Sequence, residues 1–255
     1  MKIKIWNSQE PGGARPKGEI RPRKAAAFQP AGRAVAADDT DQHKNAQAIM
    51  MELDALVGLR GVKKLIEELY AFVEIQKRRQ KEKLIAEPLV LHMIFKGNPG
   101  TGKTTVARIL GKLFKEIGVL PKGHLVEVER ADLVGEFIGH TAQKTREQIK
   151  RALGGVLFVD EAYSLARGGE KDFGKEAIDT LVKAMEDLKD RLVLILAGYQ
   201  HEMGRFLEAN PGLRSRFPIH IEFADFSLDE LMAIAHKIVE RREYRLSMAA
   251  EAAPR

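Results

Sequence analysis

The chain of 255 residues contains no cysteine. That excludes disulfides, thiolate catalysis and cysteine-based zinc sites, and it fits a protein of the reducing cytoplasm. No run of 18 apolar residues occurs, so no transmembrane helix is expected. The opening Met1-Lys2-Ile3-Lys4 has no apolar segment behind it, which argues against a secretory signal. A basic domain is missing too, although the net charge is +6. Residues 1–36 carry eight Lys/Arg against two Asp/Glu, and the remainder carries 34 of each. The excess therefore belongs to a leader, and the charge-neutral remainder argues against a nucleic-acid partner. With Pro11, Pro16, Pro22 and Pro30 and few apolar residues, the leader cannot bury enough surface to offset its ordering entropy. Disorder is expected there. The domain division expected is leader 1–44, nucleotide-binding domain 45–225, and a short helical tail 226–255.

Chemistry is concentrated in two stretches. Gly97-Asn98-Pro99-Gly100-Thr101-Gly102-Lys103-Thr104 fits the phosphate-loop pattern G-x-x-x-x-G-K-[ST] without mismatch. Leu89 to Phe95 reads as a buried parallel strand leading into it, and Lys103 to Ile117 reads as the helix that follows. A glycine-rich turn can match by accident, but strand, loop and helix are the context the pattern requires. Glycines let successive N–H groups turn inward on phosphate oxygens, and the helix N-terminus adds positive potential. The phosphate-binding residues expected are Gly97, Asn98, Pro99, Gly100, Thr101, Gly102, Lys103, Thr104 and Thr105. Lys103 would neutralise phosphate charge and the Thr104 hydroxyl would ligate Mg²⁺.

The second stretch is Gly155-Val156-Leu157-Phe158-Val159-Asp160-Glu161. Four apolar residues form a buried strand that ends in two carboxylates. At the carboxyl edge of a parallel sheet these would face the ligand crevice. Asp160 would hold Mg²⁺, and Glu161 would orient and polarise an attacking water. The pair alone is weak evidence; downstream of a complete phosphate loop it is strong.

The rest of the chain supplies scaffolding and three further candidates. Ile49, Met50, Leu53, Leu56 and Val57 recur at helical spacing from about Asn45, and Gly58 can end that helix. A second helix from Val62 to Lys81 carries Leu65, Ile66, Leu69, Phe72, Val73 and Ile75 on its apolar side. The turn between them, with Val57 and Gly58, either packs helix on helix or lies against an adenine. Phe137 and Ile138 stand between Gly135 and Gly139. They are either core residues or a loop-borne pair suited to gripping an extended polypeptide of any sequence. Arg216 follows the turn Asn210-Pro211-Gly212 and is either a surface ion-pairing arginine or a finger directed at a neighbouring subunit's γ-phosphate. His124 reads as a strand-end histidine rather than a base. Ile219 to Phe223 alternates as a strand, and Ser227-Leu228-Asp229-Glu230 has the spacing of a capping box opening a helix to about Glu240.

Taken together these residues resemble the AAA+ ATPases, and within them the CbbX / stage V sporulation protein K family. The similarity runs from about Leu56 to Leu246, and residues 162–177 resemble the sporulation branch more than the Rubisco-activase branch. It implies a P-loop NTPase α/β sandwich with a parallel sheet in the order 5-1-4-3-2. It also implies a homo-oligomeric ring, usually a hexamer, that uses ATP and Mg²⁺ to work on a protein client at a central pore during sporulation. Residue by residue, it carries over Lys103 and Thr104 as Walker A, and Asp160 and Glu161 as Walker B. Phe137 carries over as the pore-loop aromatic, and Arg216, with Arg214 as second candidate, as the finger. Val57 and Gly58 fall on the adenine side. Three departures stand out. Phe137 replaces a frequent Tyr; Tyr199 stands where many relatives place a sensor Asn; and past Leu246 the chain turns Ala-rich where the family continues into a helical lid. An incomplete lid is expected, and with it the alternative of a nucleotide-binding module with little or no turnover.

Overall fold

The central strands are apolar at successive positions, so both faces of their sheet need a helical cover. β1 (Met93–Gly97), β2 (Leu125–Val128), β3 (Val156–Val159), β4 (Val193–Gly198) and β5 (Ile219–Phe223) pair in parallel in the order β2-β3-β4-β1-β5. This is the expected order read from the opposite edge. The computed structural model describes residues 35–85, 89–137, 139–167, 173–247 and 251. Most of the basic leader, Ile138, and the stretch 168–172 lie outside the described residues.

Alternation along each strand divides the interior into two cores. Met93, Phe95, Val156, Phe158, Ile195 and Phe223 face helices α1 (Val35–Asp54), α2 (Arg60–Lys81) and α3 (Lys103–Glu116). Ile94, Leu157, Val159, Leu194 and Leu196 face the other way. After the short α4 (Arg130–Leu133), the cover on that side is α5 (His140–Ala152), α6 (Gly174–Asp187), α7 (Gln200–Ala209) and α8 (Pro211–Arg216). At the heart of the first core Phe95 meets Phe158 edge-on at 6.3 Å and lies 5.0 Å from Phe223.

Several elements depart from the sequence reading. α1 begins at Val35, ahead of Asn45. On α2 the buried residues are Val62, Ile66, Val73 and Gln76, whereas Phe72 and Ile75 are exposed. The expected apolar side was too wide: at 100° per residue Phe72 and Ile75 swing away from the row 62-66-73-76. After Glu161 the chain forms a 3-10 turn over Ala162–Ala166. The capping box is formed as expected: Ser227 Oγ accepts from Glu230 N–H and Glu230 Oε2 accepts from Ser227 N–H, opening α9 (Leu228–Glu240). His124 bonds the Arg151 carbonyl through Nε2 at 2.8 Å. It precedes β2, at the amino edge of the sheet, so it is structural and remote from the carboxylates that follow β3.

Candidate active site

β1 ends at Gly97 and β3 ends just before Asp160, and only β4 lies between them. Because all three strands run in parallel, the phosphate loop and the carboxylate pair emerge from the same edge of the sheet. The three loop glycines are needed for two different reasons. Gly100 (φ 76°) and Gly102 (φ 92°) adopt the left-handed backbone that curls the loop. Gly97 has no such requirement; a Cβ there would lie 2.5 Å from the Phe223 carbonyl oxygen of β5.

Inside the loop, Thr101 Oγ1 donates to the Asn98 carbonyl at 2.7 Å, and Lys103 Nζ donates to the carbonyls of Gly97 (2.9 Å) and Asn98 (2.7 Å). The ammonium is thus held over its own loop. Burial lowers its pKa, and the nearby Asp160 charge opposes that shift. Asp160 is therefore close enough to act electrostatically on Lys103. The first-turn amides of α3 have no intrahelical partner and open onto the same edge.

Asp160 extends the β2–β3 ladder through a bond from its N–H to the Val128 carbonyl at 2.9 Å, and its Oδ1 accepts from Glu161 N–H at 2.9 Å. Glu161 is left-handed, at φ 47° and ψ 42°. Such a conformation costs a non-glycine residue about 1–3 kcal/mol and persists only where the surroundings impose it. Here the imposition is visible. The fully buried strand β3 stops at Val159, and the Glu161 carbonyl must accept from Ser164 N–H, at 2.8 Å, to start the 3-10 turn. Glu161 itself remains exposed at the edge. A cavity of about 640 Å³ opens beside the pair; Gly135, Glu136 and Lys144 line it together with Asp160 and Glu161.

The donor set fits a nucleotide-bound Mg²⁺ rather than a metal held by protein alone. Among the described residues no group of three or more His, Cys, Asp or Glu could hold an ion. The Thr104 hydroxyl and the Asp160 carboxylate offer hard oxygen ligands in a number that leaves most of an octahedral shell to phosphate and water. Thr104 Oγ1 lies 3.4 Å from Glu127 Oε1, too far for a strong bond, so the hydroxyl is readily diverted.

The other expected residues fall as follows. Val57 and Gly58 precede Leu59, whose Cδ1 lies 3.7 Å from the position of a Cβ on Gly102, so this turn abuts the phosphate loop. Gly58 (φ 65°) also packs against Phe226 and Glu230 at the start of α9. Phe137 is 64% exposed and meets the His140 ring at 5.5 Å, so it is not a core residue. Arg216 lies away from its own chain's carboxylate pair. Its Nε and guanidinium NH2 donate to Glu186 Oε1 at 2.9 and 2.6 Å, and its remaining NH group donates to the Gly212 carbonyl at 2.8 Å. Three residues of this edge were not anticipated. Asp225 accepts from the Asn98 amide through both carboxylate oxygens at 2.9 Å, Leu59 faces Gly102, and Tyr163 packs against Tyr199 with ring centroids 5.8 Å apart. Each is distant in sequence from its partner, and no local pattern announces the pairing.

Comparison with known proteins identifies the family. Residues 93–225 match the family described as "ATPase family associated with various cellular activities (AAA)". The chain belongs to that family. It is 61% identical over 210 residues to stage V sporulation protein K of Bacillus subtilis (strain 168), covering 82% of this chain and 65% of that protein. It is 50% identical to protein CbbX of Cereibacter sphaeroides, covering 82% of this chain and 69% of that one. The match thus spans just under two thirds of the length of the sporulation protein. Among solved structures, the FIGL-1 AAA domain in complex with ADP superposes with a TM-score of 0.53 at 19% identity, over 73% of this chain and 60% of that one. At that identity the likeness concerns the AAA fold alone. No helix among the described residues is long and apolar enough to cross a membrane.

Proposed function

We propose that the chain is an ATP-hydrolysing AAA+ motor that remodels a protein client at the centre of a homo-oligomeric ring in the cytoplasm. The observation that carries this reading is the convergence of Lys103 and the Asp160-Glu161 pair on one sheet edge, with Asp160 acting electrostatically on Lys103. Residues Gly97 to Thr105 wrap the phosphates, using first-turn amides of α3 and the Lys103 ammonium, which leaves its two carbonyl partners for phosphate oxygens. Val57, Gly58 and Leu59 form the wall on the adenine side. Thr104 and Asp160 would hold a Mg²⁺, which would supply charge neutralisation at the phosphates. Glu161 orients a water and draws its proton as the water attacks. Arg216, supplied by the neighbouring subunit, stabilises transition-state charge. Phe137, with Ile138 beside it, grips the client. Glu161 and Glu136, the latter next to Phe137 in the chain, line the same cavity.

Identity to stage V sporulation protein K exceeds that to CbbX, which favours a client in sporulation. A hexamer is the ring size the resemblance implies. The module without turnover has no feature of the described site in its favour. The test is phosphate release from ATP by the parent and by Glu161→Gln. The parent should turn over. The variant should keep its nucleotide affinity and lose at least ~100-fold in rate, as expected on removing a general base. Undiminished turnover in Glu161→Gln, or ATP bound without phosphate release by the parent, overturns the reading.

A further inference from the structure

Tyr163 stands two residues beyond Glu161, within the 3-10 turn, and is 5% exposed. Its ring is clamped. Tyr199 lies 5.8 Å away, the Arg167 guanidinium sits 4.8 Å above the ring, and Gly198 is so close that a Cβ there would fall 2.7 Å from Tyr163 Cδ1. The hydroxyl is buried and has no hydrogen-bond partner among the described residues. Buried hydroxyls are seldom left so, because the cost of desolvation is not recovered. Burial first, and then the charge of the Glu161 carboxylate, push the phenol pKa up to about 12. The group therefore stays protonated, with Glu161 within its reach, yet no bond of proper geometry is made. The ring cannot travel, whereas the exposed Glu161 side chain can.

We propose that Tyr163 is a positioning residue for Glu161: in the nucleotide-loaded site its hydroxyl donates to one Glu161 carboxylate oxygen and so fixes where the other oxygen faces. The orphaned hydroxyl is the unmade half of that bond. This inference rests on the role assigned to Glu161 above. Tyr163→Phe removes only the hydroxyl and keeps the clamped ring. It should lower kcat by roughly 10- to 100-fold, the worth of one hydrogen bond to a charged group, with the KM for ATP within about twofold. The melting temperature of the nucleotide-free protein should stay level or rise, since an unsatisfied buried group has been removed. In a Glu161→Gln background the same change should have no further effect on turnover, because Tyr163 acts through Glu161. A kcat within twofold of the parent, a joint fall of kcat and melting temperature, or additive losses in the double variant would overturn the inference. If Glu161→Gln stalls and Tyr163→Phe does not, the positioning role alone fails. If Glu161→Gln stays active, the hydrolytic reading fails with it.

Discussion

His92 lies in the apolar run before β1 and is 3% exposed. Its Nδ1 accepts from the Leu194 N–H of β4 at 3.1 Å, so the proton sits on Nε2, facing the Met185 carbonyl. Burial lowers its pKa to about 4, against a weaker opposing effect from Met185. The folded state thus holds a neutral ring where the unfolded chain, with a pKa near 6.5, takes up a proton. Stability from this source is complete above pH 6.5 and falls as the pH drops from 6.5 towards 4. Below that both states are charged and the loss levels off. The full loss is about 3 kcal/mol. Protonation would also break the Leu194 bond. Denaturant midpoints measured between pH 7.5 and 4 should therefore fall more steeply for the parent than for His92→Gln, which keeps an acceptor but does not titrate. Parallel curves would contradict the assignment. In sequence, His92 is a lone polar residue in a strand-like run; its partner is 102 residues away, so burial with a bonded ring is not readable locally.

At the scale of elements, the phosphate loop separates two demands that one motif hides. Gly97 is small because β5 lies against it, in register Gly97 with Phe223. Gly100 is left-handed and its missing Cβ would meet open space. Gly97→Ala should therefore destabilise the whole fold by about 1–3 kcal/mol, the usual penalty of overpacking. Gly100→Ala should leave the global unfolding midpoint closer to the parent and weaken nucleotide binding instead, since its strain distorts the cradle. Unfolding curves and nucleotide titrations of both variants check this; equal global losses would refute the division. The same contrast explains what was legible. The phosphate loop and the Val156–Glu161 stretch were readable because their chemistry is written in consecutive residues between a strand and its turn. The strand order came from family resemblance rather than from periodicity. Phe72 and Ile75 were misplaced because α2 is apolar over a wider arc than it buries. Leu59, Asp225 and Tyr163 were missed because their partners Gly102, Asn98 and Tyr199 lie on other elements.

At the scale of the whole molecule, the position of Arg216 bears on the finger role proposed for it. α8 holds it against Glu186 of α6, both partly exposed, and not against its own Asp160 or Glu161. An exposed pair of this kind contributes about 0–1 kcal/mol, so releasing the guanidinium is inexpensive. If Arg216 serves hydrolysis, it does so in the site of a neighbouring subunit. Each working site then draws Glu161 from one chain and Arg216 from another. Arg216→Ala alone should retain nucleotide affinity and lose turnover, as should Glu161→Gln. Mixed in equal amounts and allowed to exchange subunits, the two inactive variants should recover about a quarter of parental turnover. That is the share of interfaces at which an intact Glu161 meets an intact Arg216 by chance. A finger acting within its own chain gives no recovery at any ratio, because every chain in the mixture lacks one of the two groups. An Arg216 with no catalytic part leaves the single variant as active as the parent. The yield of phosphate from the mixture, plotted against mixing ratio, separates all three cases.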